Sequence, residues 1–152
     1  METADGILTD VNGMAEAYAT ADNITVDGIR FKAPTLQAMI VLKTVAWLMR
    51  RNGTNKDATD LAMLLEAVSR GQYEARCFND LDLLGRFDAD PDQVGAHLTG
   101  IDIATDLKSA WPKCLPAWDG AHTASLLHDM RDSHSIREQQ LRALVQGLTT
   151  DH

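Results

Sequence analysis

Apolar and polar positions change period three times along the first seventy residues. In Asn23-Ile-Thr-Val-Asp-Gly-Ile-Arg-Phe-Lys-Ala-Pro34 the apolar residues alternate: Ile24 and Val26, then Ile29 and Phe31. Asp27-Gly28 stands between the two pairs, and Asp-Gly flanked by alternating apolar residues is the strongest short-range signal for a β-hairpin. Pro34 closes the second strand. From Leu36 the period lengthens, and Met39, Ile40, Leu42, Val45, Ala46, Leu48 and Met49 cover nearly the whole circumference of a helix reaching about Arg51, with Thr35 as its N-cap and Gly53 at C′. After Thr54 or Asn55 a second helix starts. Asp57 lies in its first turn, at the positive end of the helix dipole, and Leu61, Leu64, Leu65 and Val68 form its apolar stripe until Gly71.

The flanking segments pattern less sharply. Residues 6–11 (Gly-Ile-Leu-Thr-Asp-Val) predict a short strand, and Asn12 caps a short helix running to Tyr18. Residues 72–87 predict one helix ending near Gly85. A further helix starts at Asp90-Pro91, with Gly95 and Gly100 weakening its continuity. Pro112 and Pro116 turn 111–118 into a loop anchored by Trp111 and Trp118, and 123–148 forms one or two closing helices. The fold class expected is α+β and mostly helical: short N-terminal strands and a hairpin followed by a helical bundle. A chain of 152 residues reads as a single domain, with a strand and hairpin region over 1–34 and a helical region over 35–152.

Charge alters this picture locally. The net charge of −8 argues against a protein that coats nucleic acid or an anionic membrane. Yet residues 28–56 hold six basic residues (Arg30, Lys32, Lys43, Arg50, Arg51, Lys56) and no acidic one, while the remainder holds eight basic and 22 acidic residues. Cys77 and Cys114 are too far apart in sequence from each other and from clustered histidines to suggest a metal site, and read as reduced thiols of a cytoplasmic protein. No apolar run reaches the ~18 residues of a membrane span. His122, His128 and His134 recur at a spacing that does not share a helix face.

Candidate chemistry therefore concentrates in the positive segment. Lys43, Trp47 and Arg50 at i, i+4 and i+7 share a helix face. One reading is a snorkelling lysine and an arginine suited to a helix C-terminus. The other is a positive strip for an anionic ligand, walled by Trp47. Asp57 and Asp60 at i and i+3 also share a face, and suit either a decorated helix start or a pair that positions a cation or a lysine.

The order of these residues resembles the C-terminal signature of the AbiEii/AbiGii-type nucleotidyltransferases: Ala-Pro-Thr-Leu-Gln-Ala-Met-Ile-Val-Leu-Lys43, Ala46-Trp47, Arg50, then Lys56-Asp57-Ala58 and Asp60-Leu61. The resemblance spans about residues 6–70, with a faint echo at 98–104. It implies the C-terminal part of a polymerase-β-like fold that transfers a nucleotide from Mg²⁺–NTP to an acceptor, in several toxins an RNA 3′ end. By resemblance Lys43 and Asp60 belong to the catalytic site, supported by Arg50, Lys56, Asp57 and Trp47 at the nucleotide phosphates. That chemistry is mostly positioning and charge neutralisation.

The upstream part of the family pattern, a Gly-Ser helix start and an Asp-x-Asp strand, has no counterpart before Lys43. Asp5 and Asp10 are five positions apart, and Asp88-Ala-Asp90 sits at a helix-start loop. No metal ligands are assigned, and a two-metal site needs converging carboxylates. Three readings follow. The chain is one part of a split enzyme whose partner supplies the metal site, and then an apolar face lies bare where the missing sheet packs. Or it is a relative that binds a nucleotide, RNA or protein without catalysis. Or it is a helical interaction protein such as an antitoxin-like partner.

Overall fold

The computed structural model describes residues 13–131 and 134–150. The strand expected at 6–11, the cap expected at Asn12, and Asp5 and Asp10 lie outside them. A short helix α1 (Met14–Ala19) leads into an antiparallel hairpin, β1 (Asp22–Val26) and β2 (Ile29–Ala33), and eight helices follow: α2 (Leu36–Arg50), α3 (Lys56–Ala67), α4 (Glu74–Phe78), α5 (Leu81–Arg86), α6 (Pro91–Asp106), α7 (Leu115–Trp118), α8 (Thr123–Met130) and α9 (His134–Leu148). The α+β, mostly helical class is as expected.

Asp27 and Gly28 turn the hairpin with φ of 51° and 80°, the left-handed values that a two-residue turn matched to strand twist requires. The register pairs Ile24 with Phe31 and Val26 with Ile29. Side chains alternate across a strand, so all four share one face, with exposures of 43, 47, 52 and 60% for Ile24, Phe31, Val26 and Ile29. Lys32 belongs to the other face. Its ammonium lies 4.2 Å from the centre of the Tyr18 ring and donates to the Tyr18 carbonyl at 3.4 Å. The hairpin therefore leans on α1 through its polar face and leaves its apolar face bare.

Helix α2 begins where expected, with the Thr35 hydroxyl accepting from the Ala38 amide at 3.2 Å. It ends without a left-handed glycine: Arg51 is the C-cap in right-handed geometry, and Gly53 donates its amide to the Arg50 carbonyl at 2.9 Å. The helix expected over 72–87 is a 3-10 turn at 71–73 and two short helices. Asp80 breaks it, because its carboxylate caps a new helix by accepting from the Leu83 amide at 2.9 Å. The proline segment is also helical, a 3-10 turn at 111–114 followed by α7. Each proline sits in a first turn, where a missing N–H costs nothing. Trp118 is 1% exposed and donates from Nε1 to the buried Thr44 hydroxyl at 3.0 Å, which anchors the segment as expected.

Helix α6 is continuous despite Gly95 and Gly100, and packing explains both. Asp90 caps it by accepting from the amides of Asp92 and Gln93. A β-carbon on Gly95 would collide with the Val68 carbonyl oxygen, one on Gly100 with that of Leu144, and one on Gly147 with that of His97. Helices α6 and α9 thus meet backbone to backbone, with Gly100 and Gly147 facing each other. The core around them holds Leu61, Leu65, Val94, Ile103, Leu126, Leu141 and Leu144.

This contact predicts that Gly100→Ala and Gly147→Ala each destabilise the fold by about 3 kcal/mol, since overfilling a tight contact outweighs any gain in helix propensity. Gly85, whose added β-carbon would meet open space, is the control. Gly85→Ala is expected to be neutral or stabilising by up to about 1 kcal/mol. Urea titrations of the three variants check the contrast.

Candidate functional site

The positive segment and the acids after it meet where α2 ends and α3 begins. Residues 43 and 50 are seven apart, close to two helical turns, so both reach the first turn of the antiparallel neighbour. Lys43 Nζ lies 2.6 Å from Asp60 Oδ2 and 3.4 Å from Asp57 Oδ1. Arg50 donates Nη2 to both oxygens of Asp57, at 2.9 and 2.7 Å. Asp57 is nearly enclosed, its side chain 3% exposed, while Lys43 and Asp60 are each 31% and Arg50 61% exposed. The cluster is open to solvent on its cationic side and closed around one carboxylate.

Burying a carboxylate is unfavourable unless it is paired and hydrogen-bonded, and here α2 supplies two cations about two turns apart. The hydrogen bond from Lys43 to Asp60 holds the lysine ammonium above its ordinary range, against the opposing effect of its partial burial, with the charge of Asp60 and the Asp57 contact adding to the rise.

The N-terminus of α3 is built to expose this carboxylate to α2. The Lys56 amide donates to the Thr54 hydroxyl at 3.2 Å. Asn55 holds the N-cap position, but its side-chain oxygen is drawn away to Arg131, accepting from Nε and Nη2 at 2.8 and 2.9 Å with the amide turned to face the guanidinium. Lys56 is exposed and, among the described residues, pairs with no carboxylate.

The expected set is therefore brought together in part. Lys43, Arg50, Asp57 and Asp60 form one cluster, and Lys56 stands beside it. Trp47 does not join Lys43 and Arg50 in an exposed strip. It is fully buried, and its Nε1 donates to Asp129 of α8 at 2.9 Å. The spacing explains this: Trp47 is rotated about 40° around the helix from Lys43, enough for the large indole to turn into the core. Asp129 and Arg131 were not singled out from the sequence, because nothing local signals that α8 packs against the α2–α3 turn from some eighty residues away.

The acids leave little room for a metal ion. The Asp57 oxygens already accept from Lys43 and Arg50, Asp60 accepts from Lys43, and among the described residues no three His, Cys, Asp or Glu side chains gather to hold one. These residues do not fit a two-metal site. Asp90, of the Asp88-Ala-Asp90 run, is spent on capping α6. No described helix is long and apolar enough to cross a membrane. No protein-family model, curated protein or solved structure matches the chain.

Asp57→Asn is expected to lower stability by about 2 kcal/mol through loss of charge-assisted hydrogen bonds at a buried position. Asp60→Asn, on a partly exposed pair, is expected to lower it by less than about 1 kcal/mol. Because the Lys43 ammonium is raised in the folded state, its contribution is complete below the unfolded lysine range and is lost only as pH rises through the folded value. Denaturant midpoints of wild type and Lys43→Met should differ by a constant amount from neutral pH to mild alkali and converge above it.

Proposed function

We propose that this chain is a nucleotidyltransferase-like protein of the AbiEii/AbiGii toxin type that engages the phosphates of an Mg²⁺-bound nucleoside triphosphate. Transfer to an RNA or other acceptor then requires a partner that supplies the metal-binding carboxylates. The observation that carries the proposal is the cluster itself. Lys43 and Arg50 are held at a solvent-open edge by the enclosed Asp57, with Asp60 orienting the lysine. Arg50 spends only Nη2 on Asp57, so Nε and Nη1 remain for phosphate oxygens, and the exposed Lys56 adds charge beside them. Phosphoryl transfer draws on this kind of fixed cation more than on covalent chemistry. The bare apolar face of the hairpin supports the same reading, since an isolated two-stranded hairpin is marginal in water and gains stability when another layer covers it.

A second reading is favoured by the saturation of the acids: a domain that binds a nucleotide, RNA or protein without catalysing. Lys43, Arg50, Asp57 and Asp60 together sum to zero charge, so binding there depends on the unused donors rather than on a net field.

Titration of the isotope-labelled protein with Mg²⁺–ATP, followed by amide NMR, separates the outcomes. The proposal expects shifts at the end of α2 and the first turn of α3, weakened roughly ten-fold by Arg50→Gln, the scale of one charge-assisted hydrogen bond. The protein alone is expected to attach no labelled nucleotide to RNA. An absence of shifts at millimolar nucleotide would reduce the cluster to a structural clamp. Turnover by the chain alone would show that it carries its own metal site.

A further inference from the structure

On the other side of the α2–α3 turn lies a second group of polar side chains that the cluster above does not use. Arg51 and Asn52, from the turn, and Ala124, Ser125, His128 and Asp129, from α8, line an open depression of about 430 Å³. That volume lies within the range of small-molecule sites. Arg51 stacks over Trp47, its guanidinium carbon 5.6 Å from the ring centre. Among the described residues no carboxylate lies within ion-pair distance of it. A positive group fixed on an aromatic face and left without a counter-ion is suited to an anion.

Two features that could oppose an anion are partly engaged. Of the last carbonyls of α2, Trp47 O accepts the Arg51 amide at 2.8 Å, and Arg50 O accepts those of Gly53 and Thr54 at 2.9 and 3.2 Å. The Asp129 carboxylate is engaged through Oδ2 by the indole of Trp47 at 2.9 Å. Its other oxygen is an acceptor, and an acceptor in the depression that Arg51, Asn52, Ser125 and His128 also line suits a ligand that carries a hydroxyl as well as an anionic group.

We infer that this depression binds a small hydroxylated phosphate ester, of the sugar-phosphate class. The phosphate lies on Arg51 with Ser125, His128 and the Asn52 amide as further donors, and a ligand hydroxyl donates to Asp129. The site is separate from the Lys43 cluster and stands whether or not that cluster binds nucleotide.

Amide and imidazole NMR shifts are to be followed during titration with ribose 5-phosphate, inorganic phosphate and ribose. The expected order of affinity is ribose 5-phosphate, then phosphate, then ribose, with shifts centred on Asn52, Ser125 and His128. Arg51→Ala is expected to weaken ribose 5-phosphate at least roughly ten-fold, and the exposed His128→Gln to weaken it by less while leaving the spectrum otherwise folded. Shifts confined to α3 near Asp57 and Asp60, equal affinity for ribose 5-phosphate and phosphate, or indifference to Arg51→Ala would each overturn the inference.

Discussion

A single carboxylate with almost no surface of its own sets the arrangement of the α2–α3 edge. Once Asp57 is enclosed, it needs full-charge partners, and α2 presents two of them, Lys43 and Arg50, about two helical turns apart. That requirement fixes where the first turn of α3 lies against the last turns of α2. It also fixes what is left over: one guanidinium with unused donors, one lysine with a partly open ammonium, and a turn drawn tight enough for α8 to grip it from behind through Trp47–Asp129 and Asn55–Arg131. The two polar faces of the turn, one around Lys43 and one around Arg51, are consequences of that constraint.

The parts legible in the sequence were those governed by neighbours a few residues away. Asp27-Gly28 signals the hairpin, Thr35 and Asp90 signal helix starts, and spacing puts Lys43 with Arg50 on one helix face and Asp57 with Asp60 on another, leaving open whether the two faces meet. Where the reading failed, a distant contact or a competing local bond had decided. Asp80 split a helix by capping a new one. Pro112 and Pro116 were read as breakers when each occupies a first turn. Gly95 and Gly100 looked like weaknesses in α6, whereas the carbonyls of Val68 and Leu144 leave no room for anything larger. The direction of Trp47 depended on Asp129, far away in sequence, and so did the existence of the depression.

The hairpin and the α2–α3 junction differ in how finished they are. The α2–α3 junction has partners for its buried charge. The hairpin before it has a well-specified turn and register but shows a row of four large apolar side chains to solvent. The Asp27-Gly28 turn sets that register, and it gathers all four apolar side chains on one face. The junction is thus closed around its charge, while the hairpin's apolar row stands uncovered.

The two thiols have a consequence of their own. Both are wholly enclosed, and burial pushes each above the ordinary thiol range, so neither reacts while the fold is closed. They sit in different seams: Cys77 against the Val68 carbonyl at the end of α3, and Cys114 against the Val41 carbonyl in the middle of α2. The molecule therefore carries two native timers, each running only when its own seam parts. The ratio of their labelling rates tells whether the body opens as one unit or sheds α4 and its neighbours first.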